Sequence, residues 1–154
     1  ARAEAARRDS IARAQAEADR LRAERERALA EVRNTLGAAI YFEFDSDALS
    51  PEASGSLDAK LAILNANPGV RIRISGHADE RGSDEYNLAL GQRRAATAKR
   101  YLSQRGIADD RIEIISFGEE RPAAEGGDES AWTQNRRDEF EITAGADQLR
   151  APAR

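Results

Sequence analysis

The chain has 154 residues, 40% of them hydrophobic and 34% charged, with a net charge of −4 and a pI near 5.2. That balance argues against a nucleic-acid partner, whose phosphates call for a basic surface, and no apolar run is long enough to cross a bilayer as a helix. Cysteine is absent, which removes disulfides, thiolate metal sites and cysteine nucleophiles together.

Methionine is absent as well, even at position 1. The expectation is a processed or trimmed piece of a longer chain, with any signal peptide or lipid-attachment cysteine upstream. Residues 1–36 contain no Gly and no Pro, and eleven of them are Ala. Nine Arg face seven acids there, whereas the remainder is acidic. This shift marks a boundary near Gly37. Ala and Arg favour helix, and Glu4/Arg8 and Asp9/Arg13 are spaced for i,i+4 pairing with the acid first. Ile11, Ala14, Ala18, Leu21, Arg25, Ala28 and Val32 follow a 3-4 spacing, a thin coiled-coil seam. Residues 1–36 therefore read either as a solvated helical spacer or as a surface for self-association.

Beyond Gly37, strand and helix signals alternate. Ile40, Phe42 and Phe44 alternate with Tyr41 and Glu43 in a first strand. Ser50-Pro51-Glu52 starts a helix with a capping hydroxyl, a proline at the first position and an acid near the positive dipole end. Leu57, Leu61 and Leu64 form its apolar stripe, and Asn67-Pro68-Gly69 stops it. Val70, Ile72 and Ile74 alternate with Arg71, Arg73 and Ser75, a strand with one wet face. A second helix spans about 85 to 105, with Leu88, Ala95, Ala98 and Leu102 on one face and Gly106 at its end. A third strand covers Ile112 to Phe117, a loop runs from Gly118 to about Gln134, and Phe140 and Ile142 belong to a last strand. The order β-α-β-α-β-β predicts an α/β two-layer sandwich: a mixed sheet, two helices on one face, and the long N-terminal helix in front. The expected division is 1–36 as helical extension, 37–145 as the domain, and 146–154 as a flexible tail.

The chemistry concentrates in Gly76–Arg94, GHADERGSDEYNLALGQRR. Its loop follows a strand and precedes a helix, the end of an open sheet where ligands sit. Asp45 ends the first strand on the same side. On the helix, Asn87, Leu90 and Arg94 are spaced 3 and 4 and share a stripe, while Arg93 points about 100° away. Asp79 and Arg94 either pair internally to fix the loop or bind a zwitterion, the carboxylate holding an ammonium and the guanidinium a carboxylate. His77, the only histidine, lacks a partner set for catalysis and reads as a structural residue bonding backbone in the turn. A lone histidine also cannot build a histidine metal cluster. A hydrolase would require two carboxylates across a cleft, for which Asp45 and Asp79 are the only pair in view.

Four motifs in this order, IYFEFDSDALS, GHADERGSDEYNLALGQRRA, ISFGEERPA and NRR, resemble the OmpA C-terminal-like domain superfamily. Within it they are most similar to the peptidoglycan-associated lipoprotein (Pal) branch. The resemblance spans roughly residues 38–143. It implies non-covalent binding of diaminopimelate in the peptidoglycan stem peptide and no enzymatic activity, metal or cofactor. Position by position, the key aspartate falls on Asp79, the key arginine on Arg94 and the first-strand aspartate on Asp45. Asn87 and Leu90 match the helix motif, and Asn135 and Arg136 match the start of the last-strand motif. It further implies a periplasmic domain tethering the outer membrane to the cell wall through an anchor outside this sequence, with TolB-like envelope partners. Two departures stand out. Asp138 replaces an apolar or small residue after NRR, and the helix of 1–36 is longer than a short linker, as in a motility stator or another OmpA-like lipoprotein.

Overall fold

The computed structural model describes residues 1–152. Among the described residues, and apart from two short 3-10 turns, eight helices and strands follow one another: α1 (Arg2–Gly37), β1 (Ile40–Tyr41), α2 (Pro51–Ala66), β2 (Arg71–His77), α3 (Asp84–Ser103), β3 (Ile112–Gly118), α4 (Glu129–Asn135) and β4 (Arg137–Ala144). The four strands form one mixed sheet in the order β1-β4-β2-β3. β2 and β3 are parallel, and β4 runs antiparallel to both β1 and β2. Helices α2 and α3 cover one face, as the strand and helix signals predict.

The register explains which side of each strand is apolar. Ile72 stands between Ile142 and Ile112, and Ile74 between Phe140 and Ile114. One step further, Gly76 stands between Asp138 and Ser116. The first two rows, with Leu57, Leu64 and Leu102 from the helices, build the core. The third row carries no apolar side chain and lies beneath the loop ends. On the open face, Arg73 sits between Glu113 (3.2 Å) and Glu141 (3.6 Å), a cross-strand charge ladder that suits a solvated surface.

Gly76 and Gly91 set how deeply α3 sits. A Cβ on Gly76 would lie 1.8 Å from the Gly91 carbonyl oxygen, and one on Gly91 would lie 2.2 Å from Ser116 Oγ. Only bare backbone allows this approach, and it brings the first turns of α3 against the C-terminal end of β2. Ser83 caps the helix by accepting from Tyr86 N, and Gly106 at φ 102° ends the following turn.

Five expectations need correction. The first strand shrinks to Ile40–Tyr41, because the chain turns at Asp45 with φ 54° and Phe44 leaves the sheet for the Arg81 guanidinium. The stretch read as loop contains α4, capped by Asp128. Seven residues are too few for periodicity to register, although Asp128-Glu129 is an N-terminal signal. Leu88 is exposed rather than on the buried face of α3; polar Asn87 and Arg94 take the buried positions instead. Residues 146–150 of the expected flexible tail are docked: Leu149 is buried, and Asn67 bonds both the amide and the carbonyl of Arg150. Residues 153–154 of that tail lie outside the described residues. Finally, the end of α1 is built into the core through Val32 and Leu36.

Lys60 fastens that end. Its ammonium is fully buried and donates to the carbonyls of Thr35 (2.8 Å), Leu36 (3.0 Å) and Ala38 (2.6 Å). These carbonyls lie at a helix C-terminus, where a cation is favoured, and that of Thr35 also accepts from the Ala38 amide. The Phe140 ring lies 4.2 Å beneath it. The earlier part of α1 is solvated, with Ile11 and Leu21 exposed, and is laced by pairs such as Glu4–Arg8 at 3.6 Å and Asp19–Arg22 at 3.0 Å. No helix among the described residues is long and apolar enough to cross a membrane.

Candidate ligand-binding site

A cavity of about 170 Å³ opens where the sheet ends. It is lined by Phe44 and Asp45 from the turn after β1, by Ala78, Asp79, Arg81 and Gly82 from the β2–α3 loop, and by Tyr86, Asn87, Leu90 and Arg94 from α3. Asp45, Asp79, Asn87, Leu90 and Arg94, distant in sequence, thus line one cavity. Asn135 and Arg136 do not reach it.

Asp79 is nearly buried, and its carboxylate is engaged by Arg81. Oδ1 accepts from the Arg81 amide (3.0 Å) and Nε (3.2 Å), and Oδ2 accepts from Nη2 (2.7 Å). Arg136 Nη1 stands 3.6 Å from Oδ2 on the other side. Burial pushes the Asp79 acid up, but the hydrogen bonds from Arg81 and the charges of Arg81 and Arg136 together hold it below the usual carboxylate range. The Arg81 guanidinium is itself clamped, 3.8 Å from the Phe44 ring and 4.0 Å from the Trp132 ring. Such stacking suits a planar, weakly hydrated cation.

Arg94 is fully buried. Nε donates to the Ser46 carbonyl (2.8 Å), Nη1 to the His77 carbonyl (2.8 Å) and Nη2 to the Glu43 carbonyl (3.1 Å). Three of its five N–H groups therefore tie the turn after β1 to the end of β2, leaving two uncommitted in a side chain that lines the cavity. Burial lowers its pKa to about 10, with Asp138 and Asp79 pulling the other way, so it stays a cation at neutral pH. Asn87 shapes the loop beside it, donating to the carbonyls of Asp79 (3.2 Å) and Arg81 (3.0 Å) and to Glu119 Oε1 (3.0 Å). Gly82 permits the loop's left-handed turn at φ 99°. Leu90 supplies an apolar floor. Across the cavity, Asp45 accepts a hydrogen bond from the Tyr86 hydroxyl.

Asn135 ends α4, and Arg136 follows it ahead of β4. The Asn135 amide is spent on the 118–128 loop, bonding the Ala123 and Ala124 amides and the Ala124 carbonyl. Arg136 Nε donates to the Phe42 carbonyl (2.9 Å) and Nη2 to Glu129 (3.1 Å). Both residues stand behind the cavity, where Arg136 adds positive charge under Asp79. His77 departs from its expected role. Its carbonyl, not its ring, makes the bond in the turn. The ring is buried and stacked on Phe117 at 5.6 Å, with Nε2 3.1 Å from Glu139 but too oblique for a hydrogen bond. Burial, and then the charge of Arg137, lower its pKa to about 4, so it is neutral.

Four lining or flanking groups escaped the sequence reading: Phe44, Arg81, Tyr86 and Trp132. The signal for Arg81 is its place two residues after Asp79, the spacing of an Asx turn. Nothing local marks Trp132, which approaches from another element. Among the described residues no three His, Cys, Asp or Glu side chains cluster to hold a metal.

Residues 41–136 match the OmpA family, and the chain belongs to it. Relatives sharpen this. The peptidoglycan-associated lipoprotein of Pseudomonas putida is 52% identical over 101 residues, 66% of this chain and 60% of that one. Its counterpart from Pasteurella multocida is 47% identical over 98 residues, 64% of this chain and 65% of that one. The crystal structure of the Burkholderia pseudomallei peptidoglycan-associated lipoprotein superposes with a TM-score of 0.66 at 42% identity, covering 68% of this chain and 89% of that one. The C-terminal domain of Helicobacter pylori MotB shares the fold at 21% identity, with a TM-score of 0.64 and 71% of this chain covered against 87% of that one. The chain spans about 60% of the length of the Pseudomonas relatives it matches.

Proposed function

We propose that this chain binds the peptidoglycan stem peptide non-covalently through diaminopimelate, and so ties an outer-membrane anchor to the cell wall from the periplasm. The observation that carries the reading is the cavity itself, in a chain that is 52% identical over 101 residues to a peptidoglycan-associated lipoprotein. Carboxylates Asp45 and Asp79 and guanidiniums Arg81 and Arg94 converge there around about 170 Å³, which suits a group carrying both an ammonium and a carboxylate. Asp45 and Asp79 take the ammonium. The two uncommitted N–H groups of Arg94, with Arg81 beside them, take the carboxylate. Asn87 and Leu90 hold the loop and the floor, while Asn135 and Arg136 act from behind. TolB-like partners belong to the same proposal.

Binding proceeds without turnover. A hydrolase with Asp79 as its proton donor would need that acid held protonated, whereas Asp79 is held ionised. The competing reading is a structural or assembly module. Its support is that Asp79 and Arg94 are already occupied internally, by Arg81 and by three carbonyls.

Co-sedimentation with purified sacculi separates the two. The parent protein is expected in the pellet, competed off by free diaminopimelate, with no soluble fragments released. Asp45→Asn, on an exposed turn, and Asp79→Asn are expected to stay in solution while keeping the parent's circular dichroism. A parent protein that sacculi do not retain, or folded variants retained as well as the parent, would overturn the site.

A further inference from the structure

We propose that the free edge of β3 and the adjoining stripe of α3 form a twofold interface with a second copy of this chain. β3 is the last strand of the sheet and, among the described residues, pairs only with β2. Its seven residues, Ile112–Gly118, carry no Pro and no Lys, the residues that blunt an edge against pairing. Beside it a shallow groove of about 510 Å³ runs along α3, with exposed Leu88 and Ile115 on its walls.

The pattern is self-complementary. Antiparallel pairing of β3 with itself about Ile115 places Ile115 against Ile115, Ile114 against Ser116, and Glu113 against Phe117. The Arg121 guanidinium lies 3.8 Å over that Phe117 ring, so Glu113 of each copy meets Arg121 of the other. On α3, Glu85, Leu88, Gln92, Ala96 and Lys99 recur at 3-4 spacing and share a stripe. Rotation about Gln92 sets Glu85 against Lys99 and Leu88 against Ala96. Among the described residues neither Glu85 nor Lys99 has an ion-pair partner of its own.

Strand and helix agree on one axis. Ser116 Oγ donates to the Leu88 carbonyl, and a strand advances about 3.3 Å per residue against about 1.5 Å for a helix. The level of Ile115 is therefore that of residues near 91, beside Gln92. The spacing agrees too. With strands about 4.8 Å apart, a helix lying over β2 and β3 sits about 5 Å from the axis, which leaves the two copies of α3 about 10 Å apart, the distance of packed helices. The product is an eight-stranded sheet with a closed, isologous contact. Its two ligand cavities open at opposite ends, and α1, packed on α2 and β4, stays clear of the contact.

The test is sedimentation of the full chain across micromolar to submillimolar concentrations. The parent is expected to dimerise. Glu85→Lys and Lys99→Glu are each expected to weaken the dimer about tenfold, since each substitution spoils two contacts at once, and the double swap is expected to restore it. Gln92→Cys, in a chain without cysteine, is expected to give a disulfide-linked dimer on oxidation, and Glu120→Cys is not. A parent that stays monomeric throughout overturns the interface. So does a dimer indifferent to both charge reversals, or one broken by Leu21→Glu on α1 instead.

Discussion

Replacing Asp138 by Val is expected to stabilise the protein, and by more at neutral than at acid pH. Asp138 lies on the helix-facing side of β4, opposite Ile40 on β1 and Gly76 on β2. It is fully buried, and among the described residues neither carboxylate oxygen has a hydrogen-bond partner. Arg94, the cation that attracts it, has given three donors to backbone carbonyls and stands outside ion-pair distance. Burial therefore drives the Asp138 acid well above the usual carboxylate range, with Arg94 offsetting only part. An unpartnered buried polar group costs about 1–3 kcal/mol, and valine is a strand former of similar shape. The expected gain at pH 7 is about that cost, a rise in Tm of roughly 3–10 °C for a chain of this length. The sign with pH follows from linkage. An acid whose folded pKa exceeds its unfolded one destabilises the fold progressively as pH rises from about 4 toward the folded value. The gap between variant and parent should accordingly open with rising pH in urea melts and thermal scans. A variant less stable than the parent at pH 7 would refute this reasoning, because it would make Asp138 an ionised, necessary partner of Arg94. A gap independent of pH would refute it as well.

Lys60 predicts the opposite window. Burial lowers its pKa from 10.5 to about 7, so the folded state sheds its proton first and stability rises as pH climbs from about 7 toward the unfolded value. The slope is at most about 1.4 kcal/mol per pH unit. Lys60→Met should abolish that rise and speed hydrogen exchange at the end of α1, and an unchanged pH profile would exclude the buried ammonium as its source. Arg81 predicts an optical signal. Trp132 is the only tryptophan and stacks on the Arg81 guanidinium, so Arg81→Ala should alter its emission. Titration of the parent with diaminopimelate should shift that emission too, and a flat titration at saturating ligand would show that the cavity's occupant leaves Arg81 untouched.

Periodicity and local chemistry carried much of the architecture. Ser50-Pro51-Glu52 starts α2 where its capping hydroxyl and fixed proline φ dictate, and the alternation of Val70, Ile72 and Ile74 sets the buried side of β2. The motif around Asp79 and Arg94 located one wall of the cavity, because a strand–loop–helix unit places its loop at the sheet end whatever the rest of the chain does. The failures share another cause. Leu88 resembles a core residue by composition, but the depth of α3, fixed by Gly76 against Gly91, turns Asn87 and Arg94 inward and leaves Leu88 at the edge of β3. Lys60 and Asp138 look like surface residues in any local window, and only packing reveals one capping a distant helix and the other stranded beneath a strand.

By itself the sequence determined the order of the elements other than α4, the Ser50 cap of α2, the wet and dry faces of the central strand, and the family to which residues 41–136 belong, since each rests on neighbours along the chain. Tertiary structure alone decided how the charges divide. It gave Asp79 to Arg81, spent most of Arg94 on the carbonyls of Glu43, Ser46 and His77, and brought Phe44 and Trp132 to either side of one guanidinium. A charge finds its partner through space and burial. Residues three elements apart compete for it on equal terms with those two positions away.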